Sequence, residues 1–236
     1  MKKLFAMLMA LTILMTMAAC GQQTTDEAGG TVDPGAVEDQ GTSGQVDMPA
    51  DDADDADTPE LGSVNGGTYT NEFAGIGCTL DETWTFYTEA QIAEINGFLT
   101  EGTSDEEMRQ LMEENQSVYD MYASSTDGLM TMNVVFQNMG LLFGTTMSAQ
   151  DYVELSAEQL PDAMGTYGFE DVTASVTTAE FAGAECPAIA ITATVQDTPM
   201  YELLVCMKEG NYIYCVTLCS YTEDVTAQMA ALFYTL

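Results

Sequence analysis

The chain contains no histidine and very few basic residues. Its 236 residues include 38 Asp and Glu against 4 Lys and Arg, so the formal net charge is −34. A nucleic-acid-binding protein needs a basic surface to neutralise phosphates, and this composition cannot supply one. Without histidine, Ser/His/Asp and Cys/His catalytic groups and imidazole metal sites are excluded. A binding module and an enzyme that relies on carboxylates alone remain.

The apolar stretch at the N-terminus is too short and too interrupted to anchor the chain as a helix. Two lysines precede it, and threonines break it between residues 4 and 17, whereas a membrane-spanning helix needs about 20 apolar residues. Residues 1–19 are therefore predicted to be a cleaved secretory signal peptide. Residues 17–20, Met-Ala-Ala-Cys, resemble the lipobox of bacterial lipoproteins. This resemblance implies that Cys20 is lipidated and holds the protein on the extracytoplasmic face of a cell membrane; the alternative is an ordinary signal in which Cys20 is incidental.

Aromatic and basic residues are missing from residues 21–61, which contain 12 acidic residues. Low hydrophobicity with charge of one sign predicts a disordered acidic linker over residues 20–61. The aspartate run at residues 51–57 lacks the glycine and glutamate of an EF-hand loop, so no specific metal site is predicted there. Residues 62–236 are predicted to form a single domain with a sizeable core.

Both helical and strand patterns occur in this domain. Apolar alternation predicts a hairpin within residues 69–80 and strands near 172–181, 184–196, 201–208 and 212–220. Capping boxes predict that helices begin at Thr88 and Ser104. Further helices are expected over 148–164, with a kink or early end at Pro161, and over 223–236. The fold class predicted from this mixture is α+β, an antiparallel sheet covered by helices.

One hairpin can be placed in register from sequence. The Asp-Gly pair at residues 127–128 is favoured in type I′ turns, and a two-residue loop there places Tyr122 opposite Asn133 and Met121 opposite Val134. Because side chains alternate along a strand, one face is predicted to face the core with Tyr119, Met121, Ala123, Met132, Val134 and Phe136.

The opposite face of this hairpin is the candidate partner-binding surface. It is predicted to carry Asp120, Tyr122, Thr131 and Asn133, a mixed polar and aromatic set on a sheet. An ordinary solvated face is the alternative interpretation.

The domain has five cysteines, an odd number that leaves at least one thiol free or bonded to another molecule. If residues 210–211 form a two-residue loop, Cys206 lies opposite Cys215 in a non-hydrogen-bonded pair, where a disulfide can close. Buried reduced thiols are the other interpretation. Neither the cysteines nor the carboxylates show the spacing of a metal or cofactor site.

The order of elements carries a resemblance to a known fold. Its features are the Tyr-Thr-Asn-Glu-Phe segment at residues 69–73, the helix that carries Asp151 and Tyr152, the Ala-Gly turn at 182–183, the hairpin at 201–214 and the closing helix with Phe233. Together these resemble the PsbP/Mog1-like fold, found in photosystem II subunits, a Ran-binding protein and small bacterial lipoproteins. The resemblance implies a non-enzymatic binding or assembly role, without a cofactor.

We therefore expect a membrane-anchored extracytoplasmic lipoprotein that binds a protein, peptide or envelope component without catalysis. The alternatives are a receptor for a small solute or divalent cation, and a carboxylate-based hydrolase.

Overall fold

The computed structural model describes residues 60–96 and 117–236. The predicted signal peptide, Cys20, the linker up to residue 59 and the helix predicted at Ser104 lie outside the described residues. Within the described ranges, no helix is long and apolar enough to cross a membrane.

The described chain folds as α+β, with two antiparallel sheets and few helices. In chain order, the elements are β1 Ser63–Asn65, β2 Thr68–Asn71, β3 Ile76–Thr79, β4 Trp84–Phe86, α1 Glu89–Ile95, β5 Ser117–Ser125, β6 Met130–Asn138, α2 Gly140–Gly144, α3 Ala149–Thr166, β7 Glu170–Phe181, β8 Ala184–Val195, β9 Thr198–Glu209, β10 Tyr212–Tyr221, α4 Thr226–Ala230 and β11 Phe233–Thr235. The larger sheet has seven strands in the order β4-β5-β6-β10-β9-β8-β7, and the smaller has four in the order β1-β2-β3-β11. The α+β prediction is confirmed.

Short turns set the registers of the large sheet. Tyr122 pairs with Asn133 and Met121 with Val134, as predicted. The connection is longer than the predicted two-residue type I′ loop: it covers residues 126–129, the Gly128 N–H donates to the Ser125 carbonyl at 2.9 Å, and Gly128 but not Asp127 has a positive φ. In the next hairpin Cys206 pairs with Cys215, which confirms the two-residue loop at residues 210–211. Hairpin sequences with favoured turn residues therefore fixed these registers locally.

A β-bulge in β5 changes the predicted core face. The register shifts between Tyr119 and Met121, so that Asp120 is the extra residue. Tyr119 consequently packs with Tyr122 and Val135 rather than beside Met121, and its predicted position on the Met121 face is wrong. Val118 takes the position opposite Phe136.

The C-terminus does not form the predicted helix over residues 223–236. A single helical turn, α4, ends at Ala230, and Phe233 then pairs with Cys78 as part of β11. The small sheet offers an open strand edge at β3, and pairing with that edge satisfies the backbone of a short aromatic segment. Met229 and Phe233 of the predicted apolar stripe are buried here, whereas Leu232 and Leu236 are exposed. Helical periodicity alone did not reveal this division.

Helices cover only part of the large sheet. On one face α3 packs Leu160 and Met164 into a core cluster with sheet residues such as Ile189. The other face is covered by the small sheet and α4, which contribute Tyr69, Phe233 and Met229 to a second cluster. The prediction of a sheet covered by helices alone is thus corrected. The helix α3 runs through Pro161 to Thr166, so the early end expected at the proline does not occur.

Candidate functional site

The four residues predicted as an exposed recognition surface are buried. Asp120, Tyr122, Thr131 and Asn133 have between 0% and 7% of their surface exposed. Tyr122 packs in a cluster with Ile92 of α1 and with Tyr87, whose ring centroid lies 4.5 Å from that of Tyr122. Because all four residues are buried, the predicted exposed patch is wrong, and so is the alternative of a solvated face. The helix α1 packs over Tyr122.

Asp120 is separated from the other three residues by the bulge. Its carboxylate accepts hydrogen bonds from the Tyr69 hydroxyl at 2.5 Å, the Asn71 amide nitrogen at 2.9 Å and the Gly62 backbone N–H at 2.6 Å. Burial raises the pKa of Asp120 to about 6, although these donors act to lower it. Asp120 therefore fastens the bulge of the large sheet to β2 and to the start of the domain.

Thr131 and Asn133 remain together on one face of the large sheet, with a third polar residue that the sequence did not indicate. Thr131 pairs with Cys219, and Cys219 pairs with Glu202, which places the threonine and the glutamate in one row. In the described part of the chain, the Thr131 hydroxyl, both amide atoms of Asn133 and Oε2 of Glu202 have no hydrogen-bond partner. Burial raises the pKa of Glu202 to about 7. No periodicity distinguishes this glutamate from exposed acids, so only the fold reveals its burial.

A cleft of about 470 Å³ lies beside Tyr122, at the edge of the large sheet formed by β4 and β5. Its walls come from the segment that leads into β1, from the β4–α1 connection and from the bulged part of β5. Eight of the thirteen lining residues are apolar or aromatic: Leu61, Val64, Phe86, Tyr87, Ile92, Ala93, Met121 and Tyr122. A concave apolar surface with few polar groups is typical of a ligand site.

The wall formed by α1 is held at both ends. At its start, Thr88 and Gln91 form the predicted capping box, and the Tyr87 N–H donates to the Tyr122 carbonyl at 2.8 Å. At its end, the Asn96 side chain donates to the Tyr119 carbonyl at 2.8 Å and accepts from the Tyr119 N–H at 2.7 Å. A helix of only 7 residues is thereby fixed to the sheet by hydrogen bonds within the chain.

This cleft was not predicted from the sequence. Its one visible signal was the aromatic run from Trp84 to Tyr87 directly before a capping box. Such a run predicts buried core residues equally well, because aromatic side chains are typical both of a hydrophobic core and of the lining of a cleft.

The five cysteines within the described residues, Cys78, Cys186, Cys206, Cys215 and Cys219, are buried as reduced thiols. The Sγ atoms of Cys206 and Cys215 lie 3.7 Å apart, and Cys215 Sγ also lies 3.7 Å from the Tyr152 hydroxyl. Burial raises the pKa of the Cys206 thiol well above its usual value. The strand register places Cys206 opposite Cys215, so a disulfide between them remains a prediction.

Within residues 60–96 and 117–236, no three Asp, Glu or Cys side chains converge in a group that could hold a metal ion. Asp120 is the carboxylate that lines the interior of the cleft, and its oxygens already accept three hydrogen bonds. Glu89 lies at the exposed rim.

No known family profile and no curated protein matches this sequence. Among solved structures, a Bacteroides thetaiotaomicron protein has a TM-score of 0.40 and 8% identity over 73% of this chain, which covers 49% of that protein. LpqN, involved in cell envelope biogenesis of Mycobacterium tuberculosis, has a TM-score of 0.32 and 8% identity over 66% of this chain and 75% of LpqN. The chain thus spans about half the length of the Bacteroides protein. These distant similarities assign no family, and the PsbP/Mog1-like resemblance stays a prediction.

Proposed function

We propose that this chain is a lipid-anchored, extracytoplasmic binding module without catalytic activity, and that it holds a protein or peptide partner at the cleft beside Tyr122. The observation that carries the proposal is a preformed apolar cleft whose α1 wall is fixed to β5 through Tyr87 and Asn96. Fixed walls favour binding, because little conformational entropy is lost when a partner enters.

The chemistry of the lining selects an apolar group of the partner. Phe86, Tyr87 and Ile92 offer aromatic and aliphatic surface, which gains free energy when water is displaced from it. A volume of about 470 Å³ accommodates one or two large side chains rather than a folded domain. We infer that a projecting apolar side chain or short segment of the partner occupies the cleft.

The anchor belongs to the same proposal. Lipidation at Cys20 would tie the chain to the membrane, and the acidic residues between positions 21 and 61 would hold the domain away from an anionic surface by repulsion. The domain would then meet partners that are exposed outside the membrane.

Occluding the cleft tests the proposal. Ala93 lines the cleft from α1, whereas Ala90 lies exposed on the same helix outside it. Full-length tagged chains carrying Ala93→Phe or Ala90→Phe are crosslinked in the bacterium that produces the protein, captured and analysed by mass spectrometry. We expect the partner captured by the wild type to be lost with Ala93→Phe and retained with Ala90→Phe. Equal capture by both variants would refute the assignment of the cleft.

The anchor has a separate test. Cys20→Ser is expected to release the protein from the membrane fraction and to remove the mass of the acyl chains from its N-terminus. If the Cys20→Ser chain stays in the membrane fraction, the protein is anchored in another way, whatever the cleft binds.

A further inference from the structure

The strand β7 forms a long open edge at the side of the large sheet opposite the cleft. It contains 12 residues, and most of its side chains are exposed, including Val176 at 43%. It pairs with β8 alone in the seven-stranded sheet. One side of its backbone therefore offers unpaired donors and acceptors over much of its length.

The register identifies which residues present these groups. The β7–β8 turn consists of Ala182 and Gly183, both with positive φ, at 47° and 79°. This is the type I′ arrangement, in which the flanking pair, Phe181 and Ala184, exchanges two hydrogen bonds. Because bonded and non-bonded pairs alternate along an antiparallel ladder, the N–H and C=O groups of Val176 and Thr178 point away from β8.

Within the described residues, no backbone group outside the β7–β8 ladder forms a hydrogen bond with the outward N–H and C=O groups of Val176 and Thr178. The Thr178 carbonyl accepts only a long contact of 3.4 Å from the Thr177 hydroxyl. Natural edge strands are commonly protected by lysine, proline or a bulge. Residues 170–181 contain no lysine or proline, and their irregularity lies at the start, between Glu170 and Thr173. The stretch from Thr173 to Phe181 is regular and unprotected.

A groove of about 650 Å³ lies along the same edge. Residues 177–180 of β7 form one side, α4 forms the other, and Phe233 lies among the lining residues. Five of its twelve lining residues are alanines: Ala179, Ala182, Ala227, Ala230 and Ala231. An added strand would thus have space for the side chains it directs toward this face of the sheet.

Charge decides between the occupants of this edge. Glu170, Asp171, Glu180 and Glu185 lie on β7 and β8, and Lys208 is the one cation in the described ranges. A second copy of this chain would bring another formal charge of −34, and the chain's own residues 21–61 carry 12 acids and no base. Both are repelled by the edge, whereas a basic segment is attracted.

We propose that β7 receives an extended, lysine- or arginine-bearing segment of a partner protein as an eighth strand. The outward backbone groups of Val176 and Thr178 supply the ladder, and the surrounding acids select the charge. This site lies across the sheet from the cleft and does not depend on it.

A labelled peptide tests the site directly. The probe is a peptide of about eight residues that alternates lysine with valine, long enough to span the regular part of β7. Its binding to the purified chain is followed by fluorescence anisotropy, beside a version with glutamate in place of lysine. Val176→Pro removes an outward N–H at an edge position that tolerates proline, and Val176→Thr, its matched control, keeps that N–H.

We expect the lysine peptide to bind the wild type and Val176→Thr alike, and the affinity to fall at least about tenfold with Val176→Pro and with rising salt. Ala93→Phe should leave this binding unchanged, which separates the edge from the cleft. If Val176→Pro is unfolded by circular dichroism, Thr178→Pro replaces it. Unchanged binding by the folded proline variant, equal binding of the glutamate peptide, or no binding by the wild type would overturn the proposal.

Discussion

Tyr69 donates its phenolic hydrogen to the Asp120 carboxylate over 2.5 Å, and this bond joins the four-stranded sheet to the seven-stranded sheet. Both residues are buried. The bulge that carries Asp120 also forms part of the cleft wall. The hydrogen bond from Tyr69 therefore helps to hold this part of the wall in position.

Tyr69→Phe removes this donor and keeps the ring. We expect the free energy of unfolding to fall by about 1.5 to 3 kcal/mol, since a hydrogen bond to a charged group is lost. The pKa of Asp120 should rise above its value of about 6, because the Tyr69 hydroxyl lowers it. Urea denaturation and titration of the carboxyl by NMR measure both effects. Tyr234→Phe, at an exposed tyrosine, is the control and should change stability by less than about 0.5 kcal/mol. An equal effect of both substitutions would contradict this role for Tyr69.

Glu202 is expected to make the fold less stable at neutral pH than in mild acid. Burial raises its pKa from 4.5 to about 7, so the folded state binds the proton more tightly than the unfolded state. The free energy of unfolding therefore decreases as pH rises from 4.5 to 7, and Asp120 acts in the same direction up to about 6.

Glu202→Gln removes the buried charge and should increase the free energy of unfolding at pH 8 by up to about 3 kcal/mol. The pH dependence between 5 and 8 should become flatter. Melting curves across this range give the result, with the exposed Glu158→Gln as control. A variant less stable than the wild type at pH 8 would show that an unseen partner holds the carboxylate.

Cys206 and Cys215 are predicted to be the pair that bonds when the folded domain is oxidised. They lie opposite each other with their sulfur atoms 3.7 Å apart, and both side chains are buried. Their reaction should be slow, because burial raises the pKa of the Cys206 thiol. Diamide treatment followed by peptide mapping should find this bond, and Cys206→Ser should abolish it. A different pairing as the main product would contradict the register.

The Ser148 cap should account for a measurable share of the stability of α3. Its hydroxyl accepts from the Asp151 N–H at 3.1 Å, and the Asp151 side chain accepts from the Ser148 N–H at 2.9 Å. Ser148→Ala is expected to lower the free energy of unfolding by about 1 kcal/mol. Ser148→Asp, which keeps a capping oxygen, should cost only a small part of that in the same urea titration.

Features that depend on residues close in sequence were predicted more accurately than features that depend on residues far apart in the chain. The pairing of Tyr122 with Asn133 and the start of α1 at the Thr88 capping box were both predicted from residues close in sequence. The loop that joins β5 to β6 is four residues long rather than the predicted two. The bulge at Asp120 was not predicted, and the Tyr69 hydroxyl that donates to the Asp120 carboxylate comes from a residue 51 positions away. The pairing of Phe233 with Cys78 likewise depends on a distant strand edge.

The candidate site was harder to predict than the fold. The sequence drew attention to Tyr122, which does line the cleft, but placed it on an exposed surface. Whether a polar or aromatic face of a strand is solvated depends on what packs against it, and here that is α1. Hydrophobic periodicity identifies the two faces of a strand or helix. The packing of the elements against one another decides which of these faces is buried.

Site-specific photocrosslinking in cells shows whether a protein or peptide partner binds at the cleft beside Tyr122. A photoreactive amino acid replaces Val64, an exposed residue of the cleft lining at 41%, or Leu129, a comparably exposed residue at 42% in the connection between β5 and β6. We predict one dominant crosslinked protein or peptide from position 64, absent from position 129 and lost when Ala93→Phe occludes the cleft. No crosslink at position 64, or the same crosslinked species from both positions, would refute the proposal that a partner binds at the cleft.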